Sequence, residues 1–346
     1  RGVLGDCFCA NRDVVNRHVS NRRIPRPSAM TGAAARRRAP PSGPSGDRPH
    51  WETDGANWPN RAQSRFVSAG GLRWHIQEAG SGGPSRPLIL LLHGTGAATH
   101  SFADVLPILA DHARVLAVDL PGHGFTDNPG ARWLAINAMS KSLIQLLDHL
   151  ELEPDLAVGH SAGAALLVRM TIDRFISPRG IVSINGALLP FGGIGRTLFP
   201  QLAKLLFLNP FVPAFFARQG RDRQRVRKLL ENTGSALTDA QVDRYATLMR
   251  YPSHISGALG MMANWDLEAL KRDLPQLGTP LLLIAADRDK TVPPTDALEI
   301  VNAAPRARVL NLEGLGHLAH EEDPERVCRH ILEFSQELLP GRMSTG

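Results

Sequence analysis

Short apolar runs recur along this chain at intervals that suit the strands of a buried sheet. A continuous run of about five apolar residues indicates a strand that is covered on both faces. Helix-length amphipathic segments lie between most of the runs, as at residues 139–152 and 325–339. The runs occupy residues 88–92, 115–118, 156–158, 181–184, 281–284 and 309–312. This alternation predicts an α/β fold with a mostly parallel central sheet and helices on both faces.

The pattern before the first of these runs is different. Residues 64–68 and 72–77 alternate between polar and apolar positions on either side of Gly70-Gly71. Such alternation around a glycine turn predicts an antiparallel hairpin with one face exposed to water.

One long interval interrupts the alternation of strands and helices. More than ninety residues separate Gly186 from Pro280, far more than one crossover connection needs. This interval predicts an inserted helical cap. We therefore divide the chain into a leader, a first part of the core, the cap and a second part of the core, at residues 1–50, 51–186, 187–275 and 276–340 respectively.

The charge of the 346-residue chain is concentrated in the leader. Its formal net charge is +6, but residues 1–50 hold ten arginines against three aspartates, which gives +7. The rest of the chain, with 29 basic and 30 acidic side chains, is near −1. A nucleic-acid groove needs clustered cations on the folded surface, so this distribution argues against one. The leader lacks apolar periodicity and is expected to be disordered, and Met30 is a candidate for the true start.

The sequence also limits the compartment and the cofactors. Three cysteines without a framework spacing favour a reducing compartment, and no run of eighteen apolar residues occurs. Together with the absence of a signal-like opening, this predicts a cytoplasmic protein. No nucleotide-binding glycine loop and no metal-binding His or Cys motif is present, so we expect chemistry without a cofactor or metal.

The strongest chemical signal is the segment Gly159-His160-Ser161-Ala162-Gly163, which directly follows a predicted buried strand and precedes a predicted helix. A serine on such a sharp strand-to-helix turn projects out of the sheet, and the crowded backbone requires small neighbours. Ser161 is therefore the candidate nucleophile.

A serine hydroxyl needs an imidazole to take its proton and a carboxylate to fix the tautomer of that imidazole. Asp289 and His317 follow the next two predicted strands in the order that these roles require. Asp287 also lies in the loop of Asp289, residues 286–293, here called the acid loop. The spacing of Asp289 to Val292-Pro293 favours Asp289 as the acid. His320 competes with His317, but it lacks a preceding glycine and is expected to be a wall or surface residue.

A candidate oxyanion hole follows the first long buried strand. In His93-Gly94-Thr95-Gly96, the backbone amides of Thr95 or Gly96, together with that of Ala162, can bind a developing negative charge. A further loop, residues 119–124, contains His123. This histidine is either a substrate contact or part of a hydrogen-bonded structural loop, and the second interpretation is favoured.

The cap contains its own apolar stretch, residues 198–216, which is interrupted by three prolines, Lys204 and Gln201. These interruptions exclude a membrane span. Two interpretations stay open: a lid that packs its own core, or a lid with an exposed apolar face for a large flat substrate or a membrane surface.

The motifs and their order resemble the α/β-hydrolase superfamily over roughly residues 64–340. Four segments also resemble the bacteriochlorophyll-biosynthesis hydrolases called magnesium-chelatase accessory proteins, and so do residues 58–75 and 253–267. The four segments are 93–101, 159–165, 185–193 and 314–322. The resemblance implies a role near magnesium insertion into protoporphyrin in a photosynthetic bacterium.

These observations lead to one main hypothesis and two alternatives. The main hypothesis is a serine hydrolase that acts on an apolar ester-like or tetrapyrrole substrate, with magnesium chelatase as a partner and peripheral contact with the photosynthetic membrane through the cap. One alternative is a non-catalytic accessory protein that binds porphyrin or the chelatase. The other is a C–C bond hydrolase or cofactor-free haloperoxidase, since these share the serine triad.

Overall fold

The computed structural model describes residues 46–81, 86–190, 209 and 211–342. Residues 1–45 of the predicted leader, residues 82–85, residues 191–208 and Pro210 of the cap, and the last four residues lie outside the described part. Residues 46–50 of the predicted leader are described, and the carbonyl of Asp47 accepts the amide of Ser253 at 2.9 Å. All of the described residues belong to one compact unit, which spans residues 39–346.

The core is an eight-stranded sheet in the order β1-β2-β4-β3-β5-β6-β7-β8. β1 and β2 form an antiparallel hairpin, β2 pairs antiparallel with β4, and the remaining neighbours are parallel. The strands are β1 (Ser64–Ala69), β2 (Leu72–Ala79), β3 (Leu88–Leu92), β4 (Arg114–Val118), β5 (Leu156–His160), β6 (Gly180–Ile184), β7 (Leu281–Ala286) and β8 (Ala307–Leu312).

Helices cover both faces of this sheet. One core cluster includes Leu90, Leu143 and Leu166, and a second on the other face includes Leu91, Leu106 and Ile331. The helices outside the β6–β7 interval are α1 (Trp51–Asp54), α2 (Val105–Ala110), α3 (Ile136–His149), α4 (Ala162–Ile172), α10 (Asp296–Ala303), α11 (Ala319–Glu322) and α12 (Pro324–Leu338). Among the described residues, short 3-10 turns occupy Arg61–Gln63, Thr99–Phe102, Ala131–Trp133 and Leu274–Gln276. The predicted parallel sheet, its antiparallel hairpin and the helices on both faces are confirmed.

Most of the described residues in the interval between β6 and β7 are helical. The interval contains α5 (Phe211–Gly220), α6 (Arg223–Glu231), α7 (Asp239–Met249), α8 (Pro252–Asn264) and α9 (Leu267–Asp273). The clearest local signal is at α7, where Thr238 and Gln241 form a capping box. A separate small core of Val226, Val242 and Tyr245 packs with Leu318 of the segment before α11, so α6 and α7 are held close to the loop after β8.

Candidate active site

Ser161 lies on a strained turn between β5 and α4. Its φ of 51° is in the left-handed region, which non-glycine residues seldom adopt. A Cβ at Gly163 would lie 2.2 Å from the carbonyl oxygen of Leu92, and one at Gly159 would lie 2.4 Å from the amide of Ala164. The two glycines are therefore required by the close approach of the backbone.

Neighbouring backbone holds this turn in place. The amide of Ser161 donates to the carbonyl of Ile184 at 3.0 Å, and its own carbonyl accepts from the amide of Ala187 at 3.1 Å. Both partners lie at or after the end of β6, so the adjacent strand stabilises the strained conformation of the serine.

The acid loop after β7 brings Asp289 to His317. One carboxylate oxygen of Asp289 accepts the amides of Thr291 and Val292 at 2.7 and 2.9 Å. The other accepts Nδ1–H of His317 at 2.7 Å. Because the carboxylate uses Nδ1, Nε2 is the nitrogen of His317 that is left to act as a base. Asp287 instead accepts the amide of Gly314 at 2.7 Å.

Two residues to which the sequence analysis gave no role hold the loop of His317. The carbonyl of His317 accepts Nδ2–H of Asn185 and Nε2–H of His160, both at 2.9 Å. Asn185 also donates to the carbonyl of Gly316 at 3.0 Å and accepts the amide of Ala286 at 2.8 Å. Its φ of 45° is a conformation that asparagine tolerates. An asparagine directly after a buried strand was the available signal.

Ser161 lies next to this group in the chain and in space. The ring of His160, the preceding residue, is centred 4.7 Å from the ring of His317. Ser161, Asp289 and His317 are all buried. Within the described part of the chain, the hydroxyl of Ser161 forms no hydrogen bond. Nucleophile–base contacts are often loose without substrate, so His317 stays the candidate base for Ser161.

The loop after β3 lies against the serine. A Cβ at Gly94 would lie 3.0 Å from the Cβ of Ser161. In the described residues, none of the hydrogen bonds uses the amide of Thr95 or Gly96 as donor. Ala162 is the first residue of α4, where an amide has no partner within the helix. The three candidate oxyanion amides are thus available to an acceptor.

Helix α8 of the cap packs on this loop. His254 donates from Nε2 to the carbonyl of Gly96 at 3.0 Å and accepts the amide of Gly124 on Nδ1 at 3.2 Å. The hydroxyl of Thr95 donates to the sulfur of Met261 at 3.0 Å. Burial lowers the pKa of His254 to about 4, so the ring is neutral at pH 7 and keeps both contacts.

A loop of the cap also contacts the acid and histidine loops. The carbonyl of Thr233, between α6 and α7, accepts the amide of Lys290 at 3.0 Å. The hydroxyl of Ser235 accepts the amide of Leu318 at 2.8 Å. Sequence reasoning missed these contacts because nothing in a short polar loop indicates its distant partner.

His320 is not at the surface and is not paired with the acid loop, which corrects the surface alternative of the prediction. It is fully buried, and its Nε2 lies 2.8 Å from the hydroxyl of Ser101. Ser101 and Tyr245 donate to Glu321 at 2.5 and 2.7 Å. Burial lowers the pKa of His320 to about 3 and raises that of Glu321 to about 7. This cluster links α7 to the segment after His317.

The loop of His123 has a dense set of internal contacts. His123 donates from Nδ1 to the carbonyl of Pro121 at 3.1 Å. Asp119 accepts the amides of Thr99 and Phe125 at 2.7 and 2.9 Å and contacts Nδ1 of His75 at 2.8 Å. These contacts favour the structural interpretation of the loop.

Two searches of the described residues gave no further site. No group of three or more His, Cys, Asp or Glu side chains there is arranged to hold a metal ion. No helix among them is both long and apolar enough to cross a membrane.

Comparison with known proteins gives consistent similarities. A family model described as "Alpha/beta hydrolase family" matches residues 89–330. The chain is 36% identical over 279 residues to the magnesium-chelatase 30 kDa subunit of Rhodobacter capsulatus, an alignment that covers 81% of this chain and 96% of that protein.

Two solved structures share the fold at low sequence identity. An alpha/beta hydrolase fold protein from Burkholderia ambifaria has a TM-score of 0.65 at 18% identity, over 78% of this chain and 97% of its own. The epoxide hydrolase CorEH has a TM-score of 0.67 at 20% identity, over 80% and 99%. At these identities the likeness concerns the fold alone.

Proposed function

This chain belongs to the alpha/beta hydrolase family, and on that premise we propose that it is a serine hydrolase in which Ser161, His317 and Asp289 form the catalytic triad. The observation that carries the proposal is the 2.7 Å hydrogen bond between His317 Nδ1 and Asp289, beside a serine held at a φ of 51°. Strain of this kind at a serine after a buried strand is typical of a nucleophile.

The proposed reaction begins with attack of Ser161 Oγ on an acyl carbon. His317 Nε2 takes the hydroxyl proton as the bond forms and then gives it to the leaving group. Asp289 orients the ring and stabilises its protonated form. Water then enters, His317 Nε2 takes one of its protons, and the water oxygen bonds to the acyl carbon. The bond from that carbon to Ser161 Oγ breaks, His317 returns the proton to Oγ, and the acid is released.

Backbone amides supply the proposed electrostatic stabilisation. The amides of Thr95 or Gly96 and of Ala162 donate to the oxyanion that forms on the carbonyl oxygen. Their free donors and the close approach of Gly94 to Ser161 support this assignment. His254 and Met261 hold the loop from the cap side, so we propose that the cap helps to shape this part of the site.

The proposed substrate is an apolar ester-like molecule or a tetrapyrrole of bacteriochlorophyll biosynthesis, and the proposed partner is magnesium chelatase. Support comes from the 36% identity to a protein named as a magnesium-chelatase subunit, together with the sequence resemblance described above. The proposed location is cytoplasmic.

A test of the mechanism is covalent labelling of the purified full chain by a fluorophosphonate. We expect the wild type to be labelled and Ser161→Ala not to be labelled, since only the activated serine attacks the probe. Ser183→Ala is the matched control, because this buried serine on the next strand has no hydrogen-bond partner for its hydroxyl in the described structure. Equal labelling of Ser161→Ala and wild type would contradict the proposal.

The word "subunit" in the relative's name favours a second candidate, a non-catalytic accessory protein that binds the chelatase. The two candidates predict different results when the Ser161→Ala gene is introduced into a bacteriochlorophyll-producing strain that lacks this gene. The serine hydrolase proposal expects Ser161→Ala to fail to restore pigment at wild-type protein levels. Full restoration by Ser161→Ala would support the accessory role instead.

A further inference from the structure

Helix α5 of the cap turns aromatic side chains toward solvent. Pro213, Ala217 and Gly220 form its buried side. The opposite side carries Phe211, Phe215 and Arg218, at positions that share one face of a helix.

Phe211, Phe215 and Phe216, here called the aromatic patch, are 79%, 57% and 39% exposed. Five large hydrophobic side chains are exposed in the described part of the chain, and three of them are in this patch. An exposed cluster of large apolar side chains of this kind is typical of an interaction site.

The packing of α5 prevents it from turning the patch inward. A Cβ at Gly220 would lie 2.3 Å from the carbonyl oxygen of Met249, the last residue of α7. α5 also packs against α8. Rotation of α5 would replace these small residues by phenylalanines at a backbone contact, so the outward orientation is fixed by packing.

The patch and the helices that follow it in the chain carry more basic than acidic side chains. Residues 211–250 contain eight basic and four acidic side chains, a net charge of +4, whereas the remainder of residues 51–346 has 21 basic and 26 acidic, a net charge of −5. Arg223, Arg225 and Arg227 pair with aspartates. Arg218, Arg221 and Lys228 form no ion pair with another described residue.

We propose that the aromatic patch docks on a lipid bilayer that contains anionic headgroups. The phenylalanines enter the boundary between headgroups and acyl chains, and Arg218, Arg221 and Lys228 lie among the headgroup phosphates. Apolar insertion combined with cationic attraction is the way in which amphipathic surface helices bind membranes. A symmetric contact with a second copy is disfavoured, since it would bring Arg218, Arg221 and Lys228 of both copies together.

The docked orientation places the cap at the membrane surface. α5 packs on α8, and α8 carries His254 and Met261, which contact the loop of Thr95 and Gly96. Helices α5 and α8 therefore connect the docked surface to this loop. The arrangement suits an apolar substrate that is taken from the membrane, although the docking itself does not depend on the proposed chemistry.

Co-sedimentation of the full chain with sucrose-loaded vesicles tests the proposal. We expect binding to vesicles of phosphatidylcholine with phosphatidylglycerol, weaker binding at high salt, and little binding to phosphatidylcholine alone. Phe211→Ser/Phe215→Ser should weaken binding at least about tenfold, since two large apolar groups are lost. Leu298→Ser, which removes a leucine that is 61% exposed on α10, is the matched control and should bind as the wild type does.

A second variant separates the contribution of the charged side chains to vesicle binding from that of the phenylalanines. Arg218→Gln/Arg221→Gln/Lys228→Gln should weaken binding and reduce its salt dependence, while thermal unfolding stays that of the wild type. Wild-type binding by the phenylalanine variant would overturn the proposal. So would absence of binding by the wild type together with a dimer that the phenylalanine variant loses, which would assign the patch to a second copy.

The outcome is distinguishable from that of the proposed catalysis. Hydrolysis of a soluble ester should be unchanged in the phenylalanine variant, because the patch does not contact Ser161, His317 or Asp289. If the protein binds vesicles but is not labelled by the fluorophosphonate, the docking proposal stands and the serine mechanism is refuted.

Discussion

At the scale of single residues, the acid loop distinguishes two aspartates that are two positions apart. Asp289 uses one oxygen for two backbone amides and the other for His317, so its orientation is fixed from both sides. Asp287 points to the amide of Gly314. Their similar chemistry therefore serves different purposes: Asp289 contacts the proposed base, and Asp287 ties two loops together.

We predict that Asp289→Asn lowers kcat for a soluble ester by a factor on the order of 10³–10⁴. An amide next to His317 favours the wrong tautomer and no longer stabilises the protonated ring. Steady-state kinetics with a short-chain p-nitrophenyl ester would measure the effect. Asp287→Asn is the matched control and should retain kcat within a few-fold. Comparable losses in the two variants would contradict the assignment of Asp289.

At the scale of elements, helix α8 of the cap lies against the loop of Gly122 through a contact between two glycine backbones. A Cβ at Gly257 would lie 1.9 Å from the carbonyl oxygen of Gly122. This closeness brings His254 and Met261, on the same helix, within reach of Gly96 and Thr95. The geometry of the loop therefore depends on how close α8 approaches.

Gly257→Ala should push α8 away from Gly122 and lower the free energy of unfolding by about 1–3 kcal/mol. It should also lower kcat/KM, because the loop of Thr95 and Gly96 loses its support. Chemical denaturation and ester hydrolysis would measure the two effects. Gly278→Ala, where an added Cβ meets nothing within 4 Å, should change neither beyond about 0.5 kcal/mol. A Gly257→Ala variant as stable and active as the control would show that this contact is dispensable.

At the scale of the whole molecule, buried titratable groups give stability two opposing dependences on pH. Burial lowers the pKa of several histidines below 6.5, so in acid the unfolded chain binds protons that the folded chain does not bind, and stability falls with falling pH. Glu321 behaves in the opposite way. Burial raises its pKa from the ordinary value of 4.5 to about 7, so its contribution falls as pH rises between these values. The histidines are His93, His100, His123, His160, His254 and His320.

Glu321→Gln isolates the second effect. Between about pH 4.5 and 7, wild type should lose stability relative to this variant by up to about 1.4 kcal/mol per pH unit, since the folded wild type keeps a proton that the unfolded chain releases. Urea denaturation at several pH values would measure the difference. The exposed Glu313→Gln serves as the control. A constant difference in stability between wild type and Glu321→Gln across this range would refute the prediction.

The sequence by itself determined the elements of this protein and the order of its candidate chemical groups. Apolar runs and amphipathic periodicity follow from burial along the chain, so the strands, the flanking helices and the loops of Ser161, Asp289 and His317 could be predicted locally. Only the tertiary structure decided which side chains meet, as in the contact of Asp289 with His317 and the burial of His320. Other such contacts are hydrogen bonds from Asn185, His160 and His254 to loops that are more than a hundred residues away in the chain. No local pattern encodes such contacts, because each requires two chain segments to be in place at once.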